Sequence, residues 1–332
     1  MTAVKREQVE VAHRTVDVDG LRMHIAEAGT GPLVLLLHGW PESWYSWRHQ
    51  IPALATAGYH VVAPDQRGYG DTDVPERVQD YTIKHLVGDV TRLIDVLGKQ
   101  RATVIGHDWG AIVAWEMAKM YPQRVTGVAG LSIPDRFAEP RGGAATPIAD
   151  VRATLGEAFY IVHFQQPGVA DAALASALEH DPEGLFRRIF RTASGDGPGW
   201  SGMVPGGGTI VDSLADETPT LLDWEGEQDA KTYAAQFQKS GFTGGINWYR
   251  NLDRNWELSA AWRDNRVHAP ALYLIGGRDG ALALPQSQQL MSGGSGFLNL
   301  RETVVLPGVG HAIQQERPDR VNEVLIRFLQ SL

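Results

Sequence analysis

Gly106-His107-Asp108-Trp109-Gly110 stands between a β-type run, Ala102-Thr103-Val104-Ile105, and a helical pattern, Ala111-Ile112-Val113-Ala114-Trp115-Glu116-Met117-Ala118. Strand, sharp turn, helix is the setting of a nucleophile elbow, G-x-S-x-G, whose glycines allow a strained backbone and close strand–helix approach. Here an aspartate holds the serine position. A carboxylate is already anionic at neutral pH and can displace a leaving group from saturated carbon without a general base. The product is an alkyl ester, whose carbonyl water can attack; a serine ether formed the same way would have no carbonyl. The residue therefore suits opening of an epoxide or loss of halide better than acyl transfer. A plainer alternative is that Asp108 is a helix N-cap, a position that Asp favours. The rest of the chain has to decide.

Working outward, short buried strands alternate with helices. Arg14–Val18 and Leu21–Ile25 alternate apolar and polar residues around Asp19-Gly20, a hairpin signal for antiparallel edge strands. Leu33–Leu37 and His60–Ala63 read as buried strands, and Thr82 stands where it can cap a helix carrying Leu86, Val90, Leu93, Ile94 and Leu97. Val125–Ile133 reads as the strand after the elbow helix. The alternation lapses near Asp135 and returns with Ala271–Ile275 and Thr303–Leu306; a last helix starts at Pro318 and repeats Val321, Val324, Leu325, Phe328 and Leu329. The expected fold class is α/β, a mostly parallel sheet flanked by helices. Residues 1–134 and 264–332 form its core, and residues 135–263 a helical insertion. The Gly-rich Ser194–Gly208 segment has the composition of a phosphate loop, but no strand precedes it and it lacks Gly-Lys-Ser/Thr, so it reads as a loop.

Composition narrows the function classes. The 332 residues, 43% hydrophobic and 21% charged, describe an ordinary globular protein. A net charge of −9 argues against a nucleic-acid or anionic-membrane partner. No apolar run reaches membrane-span length, and Met1–Arg6 lacks the apolar core of a signal peptide, so a cytoplasmic location is the expectation. The absence of cysteine excludes disulfides, a thiolate nucleophile and Cys-ligated metal. No metal-ligand spacing and no dinucleotide fingerprint occur, so neither metal nor cofactor is expected.

Ligands of open α/β sheets bind beyond the carboxyl ends of the strands. Asp108 follows one strand, Asp279 follows another in Gly276-Gly277-Arg278-Asp279, and His311 a third in Pro307-Gly308-Val309-Gly310-His311. Nucleophile, acid, histidine is the hydrolase order on this kind of sheet. His311 can deprotonate water, and Asp279 can fix its tautomer and stabilise the imidazolium. Asp135, after the strand ending at Ile133, is an alternative acid. The backbone N–H groups of Trp109 and Trp40 are the candidate oxyanion donors, with His38, Gly39 and Pro41 supporting the loop. Trp40-Pro41 is a candidate cis bond. His107 reads as structural, and Trp44, Trp47 and Trp115 as core.

The run His38-Gly39-Trp40-Pro41-Glu42-Ser43-Trp44-Tyr45-Ser46-Trp47, taken with the elbow, closely resembles the α/β-hydrolase-fold epoxide hydrolases of the soluble type. The resemblance continues through Arg67-Gly68-Tyr69-Gly70, the insertion and the final histidine. It is most specific at Phe164-Gln165-Gln166-Pro167-Gly168-Val169 and Asn247-Trp248-Tyr249-Arg250-Asn251, the latter followed by Arg254-Asn255-Trp256. It implies a helical cap whose two tyrosines, matched to Tyr160 and Tyr249, hold the epoxide oxygen. It also implies a small, largely apolar epoxide and water as partners, in a monomer or homodimer. A tyrosine is protonated at neutral pH and can donate a hydrogen bond to the alkoxide formed on ring opening. Two rival readings remain at this point. One is a haloalkane dehalogenase with the same Asp-His-Asp machinery and N–H donors for halide; the other is a non-catalytic ligand-binding or sensor protein.

Overall fold

The computed structural model describes residues 9–135, 139–140, 145–216, 220–293 and 296–332. The Met1–Arg6 stretch, read above as lacking a signal-peptide core, lies outside them. Eight strands form one sheet: β1 (Ala12–Val18), β2 (Leu21–Ala28), β3 (Leu33–Leu37), β4 (His60–Pro64), β5 (Ala102–His107), β6 (Val125–Leu131), β7 (Ala271–Gly276) and β8 (Leu300–Leu306). Their order is β1-β2-β4-β3-β5-β6-β7-β8. β1 and β2 pair antiparallel around Asp19 and Gly20, both at positive φ, and β2 pairs antiparallel with β4. From β4 to β8 every pairing is parallel. Only β1 of the hairpin is an edge strand, since β2 is sandwiched between β1 and β4.

The period of two along each central strand divides the core into two layers. Leu33, Leu35 and Leu37 of β3 face one apolar cluster, while Val34 and Leu36 face the other. In β7, Ala271, Tyr273 and Ile275 alternate in the same way with Leu272 and Leu274. Helices Ile83–Val96 and Trp109–Met120 cover the first face; helices Gln50–Thr56 and Pro318–Gln330 cover the second. Thr82 does stand at the N-cap of Ile83–Val96, but its hydroxyl pairs with the His85 ring at 2.8 Å and bonds no backbone N–H.

β6 stops at Leu131, two residues before the strand end expected from the apolar run. Ser132 takes a positive φ of 70°, which turns the chain out of the sheet. Between β6 and β7 the described residues carry helices and no named strand, from Pro147–Leu155 to Leu252–Ser259. These continue the first apolar cluster beyond the sheet: Phe164, Tyr233, Trp248 and Leu252 are buried in it together with Trp109. The inserted cap is thus packed onto the carboxyl ends of the strands by the same core that holds the elbow helix.

Beneath this junction lies a buried ion cluster. Lys119 Nζ reaches Asp135 Oδ1 at 2.7 Å and Glu116 Oε1 at 2.6 Å, and the Trp262 indole donates to Glu116 Oε2 at 2.5 Å. Burial disfavours the ammonium, but the two carboxylates outweigh it and raise the Lys119 pKa. Removing one member of such a cluster leaves uncompensated buried charge. Lys119→Met is expected to lower stability by about 3–5 kcal/mol, read as a shift in the urea midpoint at neutral pH. The double variant Lys119→Met/Asp135→Leu should recover part of that loss. An unshifted midpoint in the single variant would show that the cluster does not support the fold.

Candidate active site

Asp108 occupies the turn between β5 and the helix Trp109–Met120 with φ 52° and ψ −121°. No room exists for a side chain at Gly106, which lies against the Gly110 carbonyl, or at Gly110, which lies against the Leu37 carbonyl. The turn is therefore clamped between β3 and its own helix. Asp108 stands at the helix N-cap position, yet its side chain caps nothing. Its Oδ1 instead accepts a hydrogen bond from the Trp40 backbone N–H at 2.8 Å, across the loop after β3. The Trp40–Pro41 peptide in that loop is cis. His38 braces the loop, donating from Nδ1 to Gly39 O at 2.9 Å and accepting at Nε2 from Gln66 N at 3.0 Å. The Trp109 N–H opens the helix, where position alone leaves it without an intrahelical acceptor.

The other Asp108 oxygen, Oδ2, lies 3.6 Å from His311 Nε2. On its far side, His311 Nδ1 is 3.1 Å from Asp279 Oδ2. Asp279 Oδ1 accepts from Ala281 N at 2.9 Å, so the carboxylate is pinned at the end of β7. Three strand ends thus bring together the residues singled out in the sequence. Asp135 is not among them: it lies with Lys119, and Asp279 alone of the two acids faces His311.

Electrostatics follow from this crowding. Burial works against the His311 imidazolium, but the negative charges and hydrogen bonds of Asp279 and Asp108 outweigh it and hold its pKa well above the usual histidine value. Burial pushes the Asp279 carboxyl up; the charge and hydrogen bond of His311, with donors from Ser132 and Ala281, pull it below its ordinary value.

Two further groups escaped the sequence reading. Ser132, on the turn that ends β6, donates to Asp279 Oδ2 at 2.5 Å and lies 2.8 Å from His311 Nδ1. Only its place directly after a strand could have signalled it. Glu42 is buried behind the elbow, where His107 Nδ1 lies 2.9 Å from its Oε2 while His107 Nε2 lies 2.8 Å from the His311 carbonyl oxygen, so the ring bridges the carboxylate and the histidine loop. Burial raises the Glu42 pKa, yet the His107 charge and hydrogen bond, with the Gly39 N–H, bring it down to about 2. A carboxyl within a Pro-Glu-Ser run was the available clue.

Above the elbow, Tyr160 and Tyr249 come together from different parts of the insertion. Their rings meet edge to face at 5.8 Å. The Trp109 ring packs edge to face on Tyr249 at 5.1 Å, and Trp40, Phe164 and Trp200 complete the aromatic wall. Burial raises both phenol pKa values and the Asp108 charge adds to the effect, so both hydroxyls remain protonated donors at neutral pH. Among the described residues no group of three His, Asp or Glu is arranged to hold a metal ion, and no helix is long and apolar enough to cross a membrane.

An aspartate elbow, an acid and a histidine beyond the ends of β5, β7 and β8, under a helical insertion, is the layout of an α/β-hydrolase-fold enzyme, and the alpha/beta hydrolase fold family matches residues 32–318. Epoxide hydrolase A of Mycobacterium tuberculosis is 42% identical, over 96% of this chain and 97% of that protein. Epoxide hydrolase 1 of Siraitia grosvenorii is 39% identical over 97% and 99%. The crystal structure of epoxide hydrolase A from Mycobacterium thermoresistibile superposes with a TM-score of 0.87 at 44% identity, over 97% of this chain and 98% of that one. The chain belongs to the epoxide hydrolases of the α/β-hydrolase fold.

The Asp108 charge is one cause of the raised His311 pKa. Asp108→Ala should therefore move the His311 titration, followed by NMR of the imidazole, to lower pH than in the unsubstituted protein. A titration point that stays put or rises would contradict the electrostatic coupling described here.

Proposed function

We propose that the protein hydrolyses an epoxide to a vicinal diol through a covalent ester of Asp108. The observation that carries this reading is the division of labour between the two Asp108 oxygens beneath a pair of tyrosine hydroxyls. Oδ1 already rests on the Trp40 N–H, whereas Oδ2 faces His311. Tyr160 and Tyr249 hydrogen-bond the epoxide oxygen. Oδ2 attacks one ring carbon from the opposite side; the C–O bond breaks and the developing alkoxide is stabilised, then protonated, at the tyrosine pair. The enzyme is left as a hydroxyalkyl ester with Oδ1 as its carbonyl oxygen.

Hydrolysis then needs a base. Esterification removes the Asp108 charge, one of the groups that keep His311 protonated. His311 gives up its Nε2 proton, which restores the tyrosine hydroxyl that protonated the alkoxide, and Nε2 can then take a proton from water, while Asp279 and Ser132 hold the Nδ1 side. The water oxygen bonds to the ester carbon, and the charge that builds on Oδ1 is met by the Trp40 N–H and the Trp109 N–H. Collapse expels the diol oxygen, which takes the proton back from His311; the carboxyl left at Asp108 then passes its proton to His311, and the resting pair is regenerated. The substrate is small and largely apolar, in keeping with the aromatic wall. Residues 1–134 and 264–332 serve as the catalytic core, and residues 135–263 as the cap that brings the tyrosines. Halide displacement fits less well, because it has no need of the paired cap tyrosines whose rings meet above the elbow.

A single turnover in H2¹⁸O with styrene oxide tests the ester directly. The label should enter Asp108 while the first diol released is unlabelled; label found only in the diol would overturn the covalent scheme. Asp108→Ala should form neither adduct nor diol.

Tyr160→Phe and Tyr249→Phe should each slow ester formation by about 10²-fold or more, the scale for removing one donor from a developing oxyanion. Their double variant should be slower still. Halide release from a haloalkane exceeding diol release from the epoxide, and unaffected by these changes, would favour dehalogenation instead.

A further inference from the structure

Glu316 is a buried carboxyl that the scheme above does not use. It sits in the short helix Ile313–Glu316, five residues past His311, and gathers donors from two separate segments. From the histidine loop, the Gly310 N–H donates to Oε1 at 3.1 Å and Oε2 at 3.0 Å. From the cap, at the end of helix Pro182–Ala193, the Gly195 N–H donates to Oε2 at 2.9 Å. Ser194 Oγ approaches the same oxygen at 3.4 Å. That hydroxyl already accepts from the Trp224 indole and from Asp196 N, both at 3.1 Å, so its proton is directed to Glu316.

The two segments also touch directly. The His311 N–H donates to the Ala193 carbonyl at 2.7 Å, and Arg278 Nη1 to the Gly195 carbonyl at 2.6 Å. They approach so closely that a side chain on Gly310 would collide with the Ala193 carbonyl and the Gly195 amide. Burial raises the Glu316 pKa, with the Gly310 and Gly195 amides opposing that shift. A buried acid with so many donors gathered on it is a junction whose loss leaves several amides unpaired.

Resting on the covalent reading above, we propose that Glu316 is a positioning residue: it locks the His311 loop to the seated cap, and so places the imidazole for the hydrolysis of the ester. Ester formation depends on Asp108 and the tyrosines, and ester hydrolysis depends on His311. Loosening the Glu316 junction therefore slows the second step selectively and lets the adduct build up. General destabilisation would instead lower the active fraction, reducing both steps alike and leaving no adduct.

The test uses the full-length protein, styrene oxide, intact-protein mass and single-turnover rates. Glu316→Gln keeps the shape but replaces one acceptor with an amide group facing Gly310 N. It should slow hydrolysis by about 10–100-fold, the scale of a small misplacement of a reacting group. Ester formation should stay near its original rate, and a mass adduct should accumulate. Gly195→Ala, which pushes the two loops apart without touching Glu316, should give the same signature. Equal loss of both steps without adduct, or no change in either, would overturn the proposal. His311→Gln serves as the control: adduct there, but not in the Glu316 and Gly195 variants, defeats this inference alone. No adduct in His311→Gln defeats the covalent reading itself.

Discussion

The structure depends on one strained residue. Asp108 is a non-glycine at φ 52° and ψ −121°, a conformation that costs about 1–3 kcal/mol and persists only where its surroundings over-determine it. Here the surroundings do so from three sides. The Asp108 N–H donates to the Leu131 carbonyl of β6, its own carbonyl accepts from Ala111 and Ile112, and Gly110 presses against the end of β3. The strain lifts the carboxylate out of the helix it begins. An ordinary N-cap aspartate would spend its oxygens on the first N–H groups of its helix; this one offers one oxygen to the Trp40 amide and leaves the other toward His311.

Around that point the molecule separates fixed parts from adjustable ones. β3, β5, β6 and β7 end side by side, and each supplies a group where it stops or just beyond: the Trp40 amide, Asp108, Ser132 and Asp279. Strand ends in a packed sheet cannot move independently, so the distances among these groups are set by the core. His311 and the tyrosines are held differently. Their positions rest on loops and on the insertion, stabilised by polar contacts such as the His107–His311 carbonyl bond and the Glu316 junction. Buried Glu42 lies 2.9 Å from His107 Nδ1 under the site, and the ring's other nitrogen meets the His311 carbonyl, which braces the elbow neighbour and the histidine backbone together.

Much of this was legible in the residues, for reasons that also explain what was not. Strands buried on both faces leave unbroken apolar runs, as at Leu33–Leu37 and Ala271–Ile275, and hydrophobic periodicity reads those directly. Glycines at Gly106 and Gly110 marked the elbow because close backbone approach excludes other residues. Ser132 left no comparable mark. Its turn comes from a positive φ at a residue that seldom takes one, and the apolar Ile133 after it made the strand look longer than it is. Asp135 and Asp279 could not be separated by position, since each follows a strand. What separates them is a lysine sixteen residues before Asp135, on the elbow helix, whose buried charge engages that acid. Glu42 and Glu316 each engage partners distant in the chain, and long-range pairing of that kind has no local pattern.

Under the covalent reading proposed above, the site also carries its own order of events. In the resting state the Asp108 carboxylate raises His311 above its usual range and adds to the burial that keeps Tyr160 and Tyr249 protonated. In that reading the resting state suits ring opening: an anionic nucleophile, two hydroxyl donors and a histidine whose raised pKa makes it a poor base. Alkylation cancels one charge at one atom. The imidazole loses a stabilising neighbour and becomes a better base, while the carbonyl oxygen it must help to charge is already seated on an amide. A serine at the same elbow would begin neutral and require the histidine as base at once. In the proposed scheme an acid there makes the histidine wait, and the change of charge on that single residue times the two half-reactions.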